Sequence, residues 1–221
     1  GDNKIDVTVD VDGVKVHITI VITIASSNPS NGLVQSVQDA TNMGFTFAPF
    51  EDGVIITQFE NKQFKREINI PEQIGEMKVV AIGINCFANQ SNLTKITLPN
   101  SIRDIRDYAF RKCTGIKEFV TGEGYIRAGS DAFEGAFAEG GTLYLNCDTN
   151  LRDVAGDIYP FRLSNLENVV VGSKVENIGK TFTFAQRLKS VEFGKNVKTI
   201  GYEAFRGCKQ LETVNLPDGL E

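Results

Sequence analysis

Apolar residues in the segment LTKITLPNSIRDIRDYAFRKC fall at Leu93, Ile96, Leu98, Ile102, Ile105 and Phe110. This spacing fits neither the period of 2 of a strand nor the 3.6 of a helix. Sliding the chain along itself supplies the missing period. Phe87, Phe110 and Phe133 stand 23 residues apart, as do Leu93 and Ile116, Phe182 and Phe205, and Leu188 and Leu211. The segment recurs as LKSVEFGKNVKTIGYEAFRGC at 188–208. Weaker copies are INIPEQIGEMKVVAIGINCF at 68–87 and LENVVVGSKVENIGKTF at 166–182, and a partial copy, LETVNLPDGLE, closes the chain. One such unit cannot bury its own apolar residues, so stacked copies must share a core.

The shared pattern, LxxIxLPxxIxxIgxxAFxxC, predicts the parts of one coil. LxxIxL is a short strand whose Ile and Leu point inward at i and i+2. Pro99 and Pro217 follow the strand, where a missing N–H ends pairing without an internal gap. Gly83, Gly179 and Gly201 mark a second corner that calls for left-handed or tight backbone. The Ala-Phe pair then enters the core from a short helical or 3-10 turn. The expected fold class is an α/β repeat solenoid, a right-handed coil of stacked short parallel strands. It occupies residues 45–221 in about six coils, with the last incomplete at Glu221. The stretch 124–165 is irregular: it keeps Ala132-Phe133 and Leu143-x-Leu145, but Phe133 and Phe161 are 28 residues apart. Extra residues are expected to bulge at a corner there, and regular repeats to restart at Leu166.

Residues 1–44 read as a separate accessory unit. In IDVTVDVDGVKVHITIVITI, Asp12-Gly13 is a two-residue turn signal between alternating runs. Pairing across it sets Val11 opposite Val14, Val9 opposite Val16, Val7 opposite Ile18 and Ile5 opposite Ile20, all on one face. A lone hairpin is marginal in water, so that face is expected to cover something. The alternative is an edge at Ile20, Ile22 and Ile24 that pairs with a partner chain. After a turn-rich linker, Leu33, Val37 and Ala40 suit one face of a short helix that Gly44 caps.

The segments ITLPNSIRDIRDYAFRKC and VEFGKNVKTIGYEAFRGC resemble the BspA-like leucine-rich-repeat family of bacterial surface proteins, over about residues 46–221. The stretch 45–83 resembles the lead-in that these proteins place before their first regular coil. The resemblance implies a leucine-rich-repeat-like solenoid displayed on or outside the cell, acting in adhesion or protein binding, with no catalytic residue to carry over. One departure is plain. Where leucine-rich repeats in general carry Asn after LxLxx, this chain has Ser101, Lys174, Asn196 and Gly219, so an asparagine ladder is not expected at the corners.

Composition narrows the functional classes. Net charge is -5 with a pI near 5.1, which lacks the clustered Lys and Arg of a nucleic-acid surface. The most apolar run, Ile18 to Ala25, is far short of the roughly 20 residues of a membrane span. The chain opens on Gly1 rather than Met, so the lack of a leader says nothing of compartment. Cys86, Cys113, Cys147 and Cys208 form no CxxC pair, and His17 is the single imidazole, so neither a zinc cluster nor a Cys–His dyad is expected. Cys113 and Cys208 share one repeat position, and Cys86 takes the small slot of Ala109 and Ala204. All four read as packed free thiols. GxSxG and GxxxxGK[ST] are absent. Asp104 and Asp107, interleaved with Arg103, Arg106 and Arg111, read as a solvated, charge-balanced edge rather than a glycosidase pair. DTNLRD, 148–153, lacks the Gly and terminal Glu of a calcium loop. The expectation is no enzyme, and no catalytic, cofactor-binding or metal-ligating residue.

One feature points outward. In LxxIxL the residue between Ile and Leu faces away from the core, and stacking aligns these residues as a column: Asn69, Thr97, Val120, Tyr144, Val170, Glu192 and Asn215. Polar ends flank an apolar middle, as in an interaction site. The neighbouring column adds Glu118, Thr142 and Asn168. Val120, Tyr144, Val170, Glu118 and Asn168 are therefore the candidate partner-binding residues. The leading expectation is a surface module that binds a host or bacterial protein. A carbohydrate-binding envelope protein using Tyr144 and Asn168 is one alternative, and a structural spacer in a larger surface protein is another.

Overall fold

Each LxxIxL copy forms one short strand of a parallel sheet. The structure, a computed structural model, describes residues 3–11, 14–22, 34–149, 158–212 and 214–221. Six strands stack in chain order: Glu67–Asn69, Lys95–Thr97, Glu118–Val120, Thr142–Leu145, Asn168–Val171 and Ser190–Glu192. Their register is unbroken. Ile68, Ile96, Phe119, Leu143, Val169 and Val191 pair in a single row and are all buried. This front sheet is one wall of a β-solenoid of about six turns. A second wall follows the first corner, where Met77–Ile82, Asp104–Ile105 and Arg127–Ala128 run parallel, as do Asn177–Ile178 and Thr199–Ile200.

The third wall corrects the helical expectation. Among the described residues the α-helix is Val37–Asn42, and the Ala-Phe segments are runs of turns. Their amides alternate. Cys86, Ala88 and Gln90 donate three residues back within their own coil, to Gly83, Asn85 and Phe87, whereas Asn85, Phe87 and Asn89 donate to Asp107, Ala109 and Arg111 of the next coil. A helix turns every amide along its own axis and leaves none for a neighbour. Here left-handed residues flank the phenylalanine, Asn85 and Asn89 in one coil (φ 55° and 65°), Tyr108 and Lys112 in the next (φ 57° and 56°). Alternating hand turns successive peptides in opposite directions, so half of them bind coil to coil. The fold class is therefore a β-solenoid rather than an α/β one.

The phenylalanines that enter from this wall form a continuous stack. Ring centroids lie 4.9 Å apart from Phe59 to Phe87, 5.1 Å to Phe110, 5.2 Å to Phe133, 4.5 Å to Phe161, 5.4 Å to Phe182 and 5.6 Å to Phe205. The 28-residue interval from Phe133 to Phe161 leaves the stack intact. The bulge expected there falls partly on residues 150–157, which lie outside the described residues. Leu166 is buried on the same line as Leu188, where the regular pattern restarts.

The chain divides into two compact units, Gly1–Asn31 and Gly32–Glu221. In the first, Asn3–Val11 and Val14–Ile22 pair antiparallel in the expected register, Val11 with Val14 through Ile5 with Ile20. The expected edge at Ile24 lies outside the described residues. The short helix groups with the repeats: its Ser36 hydroxyl caps the Asp39 amide at 3.0 Å, and its Ala40 is buried in their core. Gly44 ends it in the left-handed region (φ 96°). Phe45–Phe50 then pairs antiparallel with Gly53–Phe59, which runs parallel to Met77–Ile82. Phe45 and Phe59 thereby cover the first regular rung of rings. The glycines at the second corner need room rather than left-handed backbone. Gly83 and Gly201 have ordinary φ, but a Cβ would lie 2.9 Å from the Ile56 carbonyl at one and 3.2 Å from Gly179 Cα at the other.

Candidate binding face

The front sheet aligns the outward residues as two columns, with neighbouring strands roughly 4.8 Å apart. Asn69, Thr97, Val120, Tyr144, Val170 and Glu192 occupy successive paired positions, and a parallel bridge from Glu192 adds Asn215. Two residues earlier on the same strands, Glu67, Lys95, Glu118, Thr142, Asn168 and Ser190 form the second column. All five candidate residues thus share one face, each of them half-buried.

The two columns differ in how their polar groups are used. From Lys95 to Ser190 the second column satisfies itself. Lys95 Nζ lies 2.7 Å from Glu118, a contact that raises the lysine pKa. The Thr142 hydroxyl and the Asn168 amide both donate to the Gly140 carbonyl, and Ser190 donates to the Asn168 side-chain oxygen at 2.9 Å. In the first column, no side chain makes a hydrogen bond or ion pair among the described residues. Glu118 and Asn168 therefore serve as a braced margin, and Val120, Tyr144 and Val170 form a half-exposed apolar strip between free polar ends. The sequence showed the alignment but not this division, because the pairing depends on rotamers across the sheet.

Other polar clusters have internal uses. Asp104 is buried rather than solvated, with Arg106 Nε and Arg127 Nη2 each 3.0 Å from its carboxylate. It lies on the side of the second wall opposite the core residue Ile105 and is covered by these two arginines. Asp107 is exposed and caps the Ser130 amide of the next coil at 2.8 Å. Asp148 of the DTNLRD segment accepts from the amides of Glu176 and Asn177 and from the Asn177 side chain. Burial pushes the thiols of Cys113, Cys147 and Cys208 up to about 12, 11 and 11, and that of Cys86 up as well, so each stays a protonated thiol near neutral pH. Among the described residues no His, Cys, Asp and Glu group has the arrangement of a metal site.

The profile of the BspA type leucine rich repeat region matches residues 51–153 and 155–221 in six copies. The chain belongs to this family. Among solved structures it is similar to a leucine rich cell surface protein of Faecalibacterium prausnitzii, with a TM-score of 0.44, 19% identity, and 77% of this chain and 52% of that one covered. It is also similar to the leucine rich repeat protein TpLRR of T. pallidum (TM-score 0.40, 20% identity, 76% and 88% covered). The pneumococcal vaccine antigen PcpA is a third (TM-score 0.39, 19% identity, 79% and 48% covered). The chain spans about half the length of the first and third of these. No curated relative matches it.

This BspA-type chain holds its corners with mixed side chains in place of an asparagine ladder. Ser101 donates to the Glu72 carbonyl at 3.3 Å, Asn146 to Thr121 at 3.1 Å and Asn196 to Ser173 at 2.6 Å, while Asn100 accepts from the Glu123 amide at 2.8 Å. Each bond links one coil to the next. The corner is stapled residue by residue, so its composition is free to vary.

Proposed function

We propose that the chain is a non-enzymatic binding module, displayed on or outside a bacterial cell, that engages a protein partner through the front sheet. The observation that carries this reading is the contrast between the columns: one is braced by side-chain bonds, and the side chains of the other, Asn69, Thr97, Val120, Tyr144, Val170, Glu192 and Asn215, make no hydrogen bond or ion pair among the described residues. A rigid strip with an apolar, aromatic centre and polar ends suits a protein contact, where a central aromatic anchor supplies most of the affinity. Family membership supports the surface location and the binding role. Carbohydrate capture through Tyr144 and Asn168 is less well supported, since the Asn168 amide is engaged at both its nitrogen and its oxygen. The test is to screen the full chain on arrays of host and bacterial surface proteins and of glycans. Binders are then titrated against a Tyr144→Lys/Val170→Lys variant. Loss of at least about tenfold in affinity supports the reading; unchanged affinity removes this face, and glycan-only hits replace the protein partner with a sugar.

A further inference from the structure

The turn wall loosens between two of its coils. In the regular coils the amide of the ring residue donates to the small residue before the ring of the next coil: Phe87 to Ala109, Phe110 to Ala132 and Phe133 to Pro160. Thr181 holds this slot in the coil after Phe161, and among the described residues the Phe161 amide makes no such bond to it. The spacing is irregular at the same place. Phe161 and Phe182 stand 21 residues apart rather than 23, directly after the interval of 28. Their rings still stack at 5.4 Å. Beside them lies a cavity of about 30 Å³, bounded on its apolar side by Ile126, Phe133, Leu143, Leu145 and Phe161.

The polar residues on its wall set the chemistry of the ligand. Three of them, Thr121, Thr149 and Thr181, carry hydroxyls. Thr121 Oγ1 accepts from the Asn146 amide at 2.8 Å, and Thr149 Oγ1 from the Gly179 amide at 3.2 Å. Thr181 is 5% exposed, and its hydroxyl has no hydrogen-bond partner among the described residues. A buried hydroxyl left unpaired is costly, so a ligand that pairs it gains that cost back. Cys147, also on the wall, stays a neutral thiol, so no described wall residue carries charge and an ionic ligand has no counter-ion. The volume exceeds the roughly 10–15 Å³ that one water needs, but a buried water also needs two to four polar partners, and Thr181 is the one hydroxyl on this wall without one. We propose that this cavity binds a small neutral alcohol of about three or four carbons. Its hydroxyl pairs with that of Thr181, and its alkyl chain packs against Leu143, Leu145 and Phe161.

The test titrates 1-propanol into the full, methyl-labelled chain and follows the resonances of Ala128, Leu143 and Leu145, which line the cavity. Dissolved xenon serves as a second probe, apolar and without a hydroxyl. Both should shift these methyls saturably and leave those of Val120 and Val170 on the front sheet in place. Thr181→Val keeps the shape of the side chain and removes the unpaired hydroxyl, so it should melt no lower than the parent. It should bind propanol at least about fivefold more weakly, the worth of one hydrogen bond, and xenon as the parent does. Thr181→Ser, which keeps the hydroxyl, should bind propanol as the parent does. Equal propanol affinity in the parent and Thr181→Val overturns the proposal in favour of a purely apolar site. Shifts that do not saturate, or that spread evenly over the chain, overturn it as effects of the solvent. A water held at Thr181 that gives a persistent cross-peak and is not displaced by propanol overturns it in favour of that water.

Discussion

The thiol of Cys113 donates to the backbone carbonyl of Phe87 at 3.0 Å, and Cys208 makes the same bond to Phe182 at 3.2 Å. Both cysteines stand three residues after a stacked phenylalanine and reach back to the phenylalanine of the preceding coil. Gln90, at the same position, reaches the Phe59 carbonyl at 3.3 Å. The repeat thus explains these thiols as coil-to-coil donors, with no reactive role required.

Ser164 occupies this position too, but its buried hydroxyl has no hydrogen-bond partner among the described residues. Ser164→Ala, which matches Ala136 and Ala185 of the neighbouring coils, should stabilise the protein by about 1 kcal/mol, at the low end of the penalty for a buried unpaired hydroxyl. For a chain of this size that raises Tm by about 2–4 °C, read by calorimetry. Ser164→Cys should do as well, because the longer C–S bond extends toward the carbonyl. A fall in Tm for both variants would show that the hydroxyl is satisfied.

The thiols give the alkaline limb of stability a definite sign. Burial raises them to about 12 at Cys113 and about 11 at Cys147 and Cys208, against about 8.5 in an unfolded chain. The folded state therefore holds these protons more tightly. Their contribution is complete below about pH 8.5 and is lost as pH rises through 11 to 12. Urea midpoints should decline over that window and decline less in a Cys113→Ala chain. At pH 8 a disulfide reagent should label the native thiols slowly and all four quickly in denaturant; four fast native thiols would refute the burial.

The ring stack should be most sensitive at its centre. Phe110 is fully buried between Phe87 and Phe133, whereas Phe205 is only half-buried. Phe110→Ala should cost about 3–5 kcal/mol by urea denaturation, and Phe205→Ala distinctly less. Equal losses would mean that the rings do not share one core.

Backbone hand predicts a contrast between two glycines. At Gly207, φ is 75° and a Cβ would lie 2.5 Å from the Phe184 ring, whereas a Cβ at Gly219 meets nothing within 4 Å. Gly207→Ala should cost about 1–2 kcal/mol, and Gly219→Ala should stay within about 0.5 kcal/mol. Thermal melts of the two variants decide it.

Ion pairs should rank by burial. Lys95 and Glu118 are solvent-screened partners on the front sheet, so Lys95→Ala should leave the urea midpoint almost unchanged. Asp104 holds two arginines with a side chain only 5% exposed. Asp104→Asn should cost more, about 1–2 kcal/mol, since it weakens two charge-assisted bonds. A larger loss at Lys95 would reverse the ranking.

The period of 23 was legible because every coil must supply the same buried rung: Ile96 and Phe110 in one coil, Val169 and Phe182 in another. From that period the column through Val120, Tyr144 and Val170 followed, since strand alternation leaves a single outward position between two inward ones. The Ala-Phe segment, expected as a short helical or 3-10 turn, forms a run of turns instead. Its six or so residues carry no periodicity of their own, and the left-handed positions hold Tyr108, Lys112, Leu163 and Phe184, residue types that give no turn signal. Asp104 was misread as solvated because its counter-ion Arg127 lies one full coil away in sequence. The glycine corner was placed correctly, but for close approach to the preceding coil rather than for its φ.

The sequence by itself determined the stacking, the rung residues and the alignment of outward positions, because burial of a shared core repeats with the chain. Tertiary structure alone decided the rest. Which outward polar groups bond to one another, as Asn168 and Ser190 do, and which make no such bond among the described residues, as at Thr97, depends on side-chain reach between coils. So does the pairing of Arg127 with the buried Asp104 of the preceding coil. These are relations between neighbours in space some 20 to 30 residues apart in sequence, and no local pattern encodes them.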